Sequence, residues 1–130
     1  MPLPHPLTDV LRAKAICFVT TLMPDGSPQI SQTWVDTDGE RIVINTVDTH
    51  QKARNIARDS RVALGIVDPA SPLRSWAIRG HVLSTSTEGA REHLDGLSTK
   101  YLGRPYPGFG GAGGGQRVVV TIAVDSVHTP

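Results

Sequence analysis

Arg41-Ile-Val-Ile-Asn-Thr-Val-Asp-Thr-His-Gln-Lys-Ala-Arg-Asn-Ile-Ala-Arg-Asp-Ser-Arg-Val-Ala-Leu-Gly-Ile-Val67 holds two apolar runs separated by one short basic segment. Ile42 to Val47 is dense in β-branched side chains, which pack well on a pleated surface and are stiff at χ1, so it reads as a strand. Asp48 and Thr49 then offer side-chain oxygens to the free N–H groups of a following helix. Gln51, three residues after Asp48, has capping-box spacing. Within that helix Ala53, Ile56 and Ala57 share a face, while Lys52, Arg54, Asn55 and Arg58 lie around the other side. The helix is expected to dock by a thin apolar stripe and present a basic face.

Lys52 sits in the first turn, at the positive end of the helix dipole, a placement that costs about 0.3 to 1 kcal/mol. A bound anion would reverse that sign. Lysine is also a good helix former on a solvated face, and the residues alone leave both readings open.

The 130 residues carry a net charge of +1, enough for a single domain, 1–130, that buries roughly two thirds of its unfolded surface. One cysteine excludes an internal disulfide. No apolar run approaches the ~20 residues of a membrane helix, and no secretory pattern opens the chain, so a soluble cytoplasmic protein is expected. Near-zero net charge and 5% aromatic content argue against a nucleic-acid surface and suit a small anionic ligand. His5, His50, His81, His93 and His128 lack metal-ligand spacing, so no metal site is expected. No G-x-S-x-G elbow occurs. Gly108 to Gly113 matches G-x-G-x-x-G, but no strand precedes it and a strand, not a helix, follows. With Pro105 and Pro107 it reads instead as the centre of a Pro/Gly-rich mobile loop, 104–116, and whether that loop is a lid over a nearby site is left open by the sequence.

Six strands are expected: Ile16–Leu22, Pro28–Val35, Arg41–Val47, Val62–Val67, Trp76–Ser84 and Arg117–Val124. Residues 1–6 read as an extended arm, followed by a short helix capped at Thr8 or Asp9 and running to Ala15. Pro24-Asp25-Gly26 and Asp36-Thr37-Asp38-Gly39 are turns that make the first three strands an antiparallel meander. The second strand alternates without a clean apolar face, either because it lines a site or because it is a half-exposed edge. Val62–Val67 shows no polar alternation and is expected to be buried on both faces, by the core or by a partner chain. Ala90, Leu94, Leu97 and Tyr101 recur at helical spacing after a Thr87 cap and before Gly103. Trp34 and Trp76 are candidates to flank a planar ring, and core packing is the common alternative. Cys17 reads as a small buried hydrophobe. The sum is a mainly β (α+β) six-stranded antiparallel barrel with peripheral helices, since a doubly wound sheet would need helices between most strands.

Four stretches together resemble one family. They are Thr20-Thr21-Leu22-x-x-Asp25-Gly26-x-Pro28-Gln29-x-Ser31, Lys52-Ala-Arg54-Asn55-Ile56-x-x-Asp59-Ser-Arg61-Val62, Trp76-x-x-x-Gly80 and Arg117-Val-Val-Val-x-Ile122. In order and spacing they resemble the pyridoxamine 5'-phosphate oxidase-like split β-barrels, specifically the actinobacterial branch of flavin- and deazaflavin-dependent oxidoreductases. The resemblance implies a homodimer with two cofactor sites at the subunit interface, the ring lying against the second strand and the phosphate meeting the start of the central helix. It assigns phosphate contact to Lys52, helped by Arg54 and Thr46, and a ring-facing role to Ser31, Gln32, Thr33 and Trp76. Asn55 is assigned to support of the loop.

The FMN oxidases of the family carry an Arg-Lys pair where this chain has Gln51-Lys52, one cation fewer for a terminal phosphate. Lys-x-Arg-Asn resembles the members that use coenzyme F420, whose tail suits a dispersed groove of Arg54, Arg58 and Arg61. The expected function is therefore hydride transfer from the reduced deazaflavin to an unsaturated or conjugated organic acceptor. The alternatives are an FMN-dependent oxidoreductase, a non-catalytic flavin or haem carrier or sensor, and a plain dimerising β-domain. No residue declares itself the proton donor; Arg79, His81 and Tyr101 are candidates.

Overall fold

The computed structural model describes residues 2–108 and 114–129. The elements are α1 (His5–Arg12), β1 (Ile16–Leu22), β2 (Pro28–Thr33), β3 (Asp36–Thr37), β4 (Ile42–Val47), α2 (Gln51–Arg58), β5 (Arg61–Val67), β6 (Ser75–Ser86), α3 (Ala90–Leu102) and β7 (Arg117–His128). The strands form one antiparallel sheet in the order β2-β1-β5-β6-β7-β4-β3. It curls around a core that includes Cys17, Val19, Ile44, Ile66, Ile78, Val120 and Ile122, with Leu7 and Leu11 of α1 packed into it. This is the split-barrel architecture, with seven strands rather than six; the two-residue β3 is too short to leave a periodic signal.

The expected meander of the first three strands does not form. β2 pairs only with β1 and lies at one edge of the sheet, whereas β4 pairs with β7 and β3 at the other. The reason lies at Val35. The Tyr101 hydroxyl accepts the Val35 N–H at 3.3 Å, and the Lys100 ammonium donates to the Val35 carbonyl. Both backbone groups that would have extended the ladder are taken by α3, so the chain leaves the sheet after Thr33. Tyr101 also donates to the Ala15 carbonyl at 2.7 Å, and Lys100 to the Leu11 carbonyl at 2.8 Å, which ties α3 to the end of α1 and the start of β1.

Other boundaries shift for similar local reasons. α1 begins at His5, taking in the last two residues of the expected arm; Pro6 suits a first helical turn, and Thr8 lies inside the helix, its hydroxyl donating to the His5 carbonyl. The α2 cap residue is His50 with no side-chain cap, because Asp48 is occupied elsewhere, accepting the Gln116 N–H at 2.9 Å. α3 starts after Gly89 without a Thr87 side-chain cap, and it ends at the left-handed Gly103 as expected. β5 alternates, with Val62, Leu64 and Ile66 buried and Arg61 and Ala63 exposed, so the chain itself covers only one of its faces. Residues 109–113 of the Pro/Gly-rich loop, and with them most of the G-x-G-x-x-G match and the centre of the candidate lid, lie outside the described residues.

Gly80 sits at a register shift between β6 and β7, where a Cβ would run into the backbone carbonyl of Ala123. Gly80→Ala is expected to destabilise the fold by about 1 to 3 kcal/mol through overpacking, read as a lowered denaturation midpoint with an unchanged m-value.

Candidate functional site

A cavity of about 510 Å3 opens between α3, the end of β2, the end of β4 and the start of α2. One wall is aromatic. Trp34, released from the sheet after Thr33, stacks on Tyr101 with centroids 5.3 Å apart and planes within 7°, and Tyr106 meets it edge-on at 6.3 Å. Leu94 and Leu97 of α3 complete this apolar side.

The lining is also cationic. Lys52, Arg117, His50 and Lys14 all line the cavity, and no acidic residue does so among the described residues. Burial pulls the Lys52 ammonium below its usual pKa and Arg117 pushes it the same way, opposed by Cys17. His50 is likewise depressed, first by burial and then by Lys52 and Arg117. A partly buried Lys52 ammonium disfavoured by the nearby Arg117 makes a site whose electrostatics would improve when an anion enters. The Thr46 hydroxyl, also in the lining, is buried without a hydrogen-bond partner, which suits a donor held ready for a ligand oxygen.

Of the residues anticipated from sequence, Gln32, Thr33, Thr46 and Lys52 line this cavity. Gln51, Arg54, Asn55 and Arg58 do not, and form a clamp instead. Arg54 donates to Gln51 Oε1 at 2.6 Å, Gln51 donates to Asn55 Oδ1 at 2.8 Å, and Arg58 donates to Asn55 Oδ1 and to the Leu22 carbonyl. Asn55 is fully buried and donates to Thr21 Oγ1 at 3.0 Å, so the group pins α2 to the end of β1. Ser31, one register step from the cavity-lining pair Gln32 and Thr33, keeps a buried hydroxyl without a partner. Trp76 is 5% exposed, belongs to the core and sits under the Arg74 guanidinium, so within one chain it shares no cavity with Trp34.

Among the proton-donor candidates, Arg79 is exposed and His81 pairs with Asp125 at 3.0 Å, both away from the cavity. Tyr101 lines it, but its proton is committed to the Ala15 carbonyl. Cys17, fully buried, has its thiol pushed up to about 12 by burial and behaves as a neutral apolar group. Sequence reasoning missed Arg117, His50, Lys14, Asn45 and Tyr106. A lone arginine opening the apolar run Val118-Val119-Val120 was the one available hint for Arg117. Its place opposite Val47 depends on β7 pairing with β4.

Tyr101 loses two hydrogen bonds on replacement by phenylalanine, an expected cost of about 1 to 3 kcal/mol because Val35 N–H and Ala15 O are left behind. Burial also raises its phenol from 10.0 to about 12. A raised folded-state pKa gives a contribution that is complete below the unfolded value and lost as pH climbs toward the folded one. The wild type is expected to lose stability between pH 10 and about 12 more steeply than Tyr101→Phe, measured by denaturant unfolding across that range.

The sequence matches the pyridoxamine 5'-phosphate oxidase family model over residues 3–129. No curated protein matches. Among solved structures, one described as an F420 reductase is 25% identical with a TM-score of 0.82, covering 97% of this chain and 98% of its own. A conserved hypothetical protein from Mycobacterium tuberculosis is 23% identical with a TM-score of 0.75, covering 99% and 84%. HupZ of group A Streptococcus, at 19% identity and a TM-score of 0.70 over 98% and 93%, shares the fold. Because the family match runs through every helix and strand of the sheet, the chain belongs to the pyridoxamine 5'-phosphate oxidase family.

Proposed function

We propose that this protein is an oxidoreductase that binds coenzyme F420 in the cation-lined cavity and reduces an unsaturated or conjugated organic acceptor. The observation that carries the reading is the convergence of Lys52, Arg117 and His50, with the unpartnered Thr46 hydroxyl, on a cavity lined by no carboxylate among the described residues. The 25% identical structure described as an F420 reductase supports the choice of deazaflavin. When bound, the deazaflavin would supply hydride transfer, chemistry that no side chain of this chain provides.

The protein's part is to bind, orient and dry. Lys52 and Arg117 take the phosphate, Lys52 acting also through its place in the first turn of the uncapped α2. Thr46 donates to a phosphate oxygen. Gln32 and Thr33 at the end of β2 meet the ring edge, while Trp34 stacked on Tyr101 gives a rigid apolar wall that keeps water from the reacting face. The Gln51, Arg54, Asn55 and Arg58 clamp holds α2 at the angle that points Lys52 inward.

The reading includes a homodimer. Phe18 and Ile30 are 39% and 64% exposed on neighbouring strands, and Ala63 and Ala77 continue the same outward face of the sheet. An exposed apolar face of this kind fits a second copy, which would close the cavity and bring further residues to it. FMN is the second reading, and Arg117 favours it: it restores near Lys52 the second cation that Gln51 withholds.

A side-by-side fluorescence titration of the purified protein with oxidised coenzyme F420 and with FMN separates these readings. Tighter binding of F420 is expected. Preference for FMN would move the protein to the oxidase side, and binding of neither would leave a haem carrier or a structural dimer. Lys52→Ala is expected to weaken cofactor binding by about ten- to a hundred-and-fifty-fold, the loss of one charge-assisted hydrogen bond to phosphate. Burial, then Lys52 and Arg117, hold the His50 imidazole below its ordinary pKa, so its charge is gained on acidification. Affinity should therefore gain as pH falls through its pKa, and the gain should be absent in His50→Gln.

A further inference from the structure

Arg117 is the member of the anion site that sits farthest along the chain from the others, and its guanidinium is held by a chain of contacts leading back into α3. Asn45 donates from Nδ2 to the Ala90 carbonyl at 2.8 Å. A carbonyl only accepts, so this contact fixes the amide, with nitrogen toward α3 and oxygen away from it. Nδ2 also lies 3.1 Å from His93 Nδ1. With Asn45 the donor there, Nδ1 must be the bare, accepting nitrogen and the ring proton must sit on Nε2, which is buried with no hydrogen-bond partner among the described residues. On the other side Asn45 Oδ1 accepts from Arg117 Nη1 at 3.5 Å. Arg117 Nη2 donates to the Tyr106 hydroxyl at 3.1 Å, and the guanidinium lies 5.1 Å over that ring. The register explains the reach: Val47 faces Arg117 and Asn45 faces Val119, so Asn45 and Arg117 are diagonal neighbours on one face of the β4–β7 pair.

We propose that His93, which is not part of the cavity lining, is a positioning residue for the anion site. By accepting the second Nδ2 proton of Asn45 it acts with the Ala90 carbonyl to hold the amide oxygen toward Arg117 and the guanidinium in the cavity wall. The inference rests on the reading that this cavity takes an anionic cofactor. The charged groups facing His93 are Asp36 of β3, which favours its protonation, and Lys100 of α3, which opposes it; burial outweighs both and keeps the ring neutral, the form that can accept.

A purely space-filling His93 would be indifferent to which atom accepts and to what stands at position 117. The test is a double-mutant cycle read by titration with oxidised coenzyme F420 and with FMN at neutral pH. His93→Leu, which removes the acceptor, is expected to weaken binding of whichever cofactor the wild type takes by about five- to tenfold. His93→Asn, whose side-chain oxygen falls near the place of Nδ1, should stay within about twofold of wild type. In an Arg117→Gln background His93→Leu should cost less than about twofold further, because the group it positions is gone. Nitrogen-resolved NMR of the imidazole should show His93 as the Nε2–H tautomer. Equal losses in both backgrounds, no rescue by asparagine, or an Nδ1–H tautomer would overturn the role of His93 and leave the proposed function standing. A wild type that binds neither cofactor would overturn both.

Discussion

Two consecutive side chains of α3, Lys100 and Tyr101, satisfy both backbone groups of the fully buried Val35 and reach the carbonyls of Leu11 and Ala15. Buried main-chain groups must find partners, and here those partners lie on a helix some 65 residues further along the chain. The consequence is architectural. β2 stops at Thr33, the chain crosses to the far edge of the sheet, and Trp34 is left to stack on the ring whose hydroxyl made the break. The aromatic wall of the cavity is thus a by-product of how the sheet is terminated.

The cationic part of the lining follows from a different pairing. β4 and β7 run antiparallel with Thr46 opposite Val118 and Val47 opposite Arg117, which puts the last strand's opening cation beside the residues that lead into α2. Lys52 and His50 arrive from the helix start. Lys52 and Arg117 are thus held partly out of water with no carboxylate lining the cavity among the described residues, an arrangement that an anion would relieve. The neighbouring basic side chains Arg54 and Arg58 take no part in it: their hydrogen bonds run to Gln51, Asn55 and Leu22, and they hold the helix rather than the ligand.

Local chemistry was readable wherever a residue's partners are its sequence neighbours. The Pro24-Asp25-Gly26 turn, the β-branched run at Ile42–Val47, the short basic helix and the Gly103 terminus all emerged in place, since turn type, side-chain stiffness and left-handed backbone are properties of a few adjacent residues. Readings failed where a distant partner competed. Asp48 has capping chemistry, but Gln116 claims it. Asp36 and Thr37, read as the start of a turn, form the short strand β3, and the turn lies at residues 38–41 between β3 and β4, not after β2. Of the cavity lining, Lys52 was one of two open readings of its own stretch, and Thr46 entered only through the family resemblance. Arg117, 72 residues from its partner Asn45, was not legible.

The element types, the antiparallel character of the sheet and a basic helix start are legible in the chain alone, because propensity, periodicity and side-chain charge act over a few residues. Tertiary structure alone decided which strands sit at the edges, which basic residues face the cavity and which become struts, and that Arg117, His50 and Asn45 join Lys52. Those outcomes depend on strand order and on who satisfies buried backbone groups, and both are settled by contacts between segments far apart in the chain.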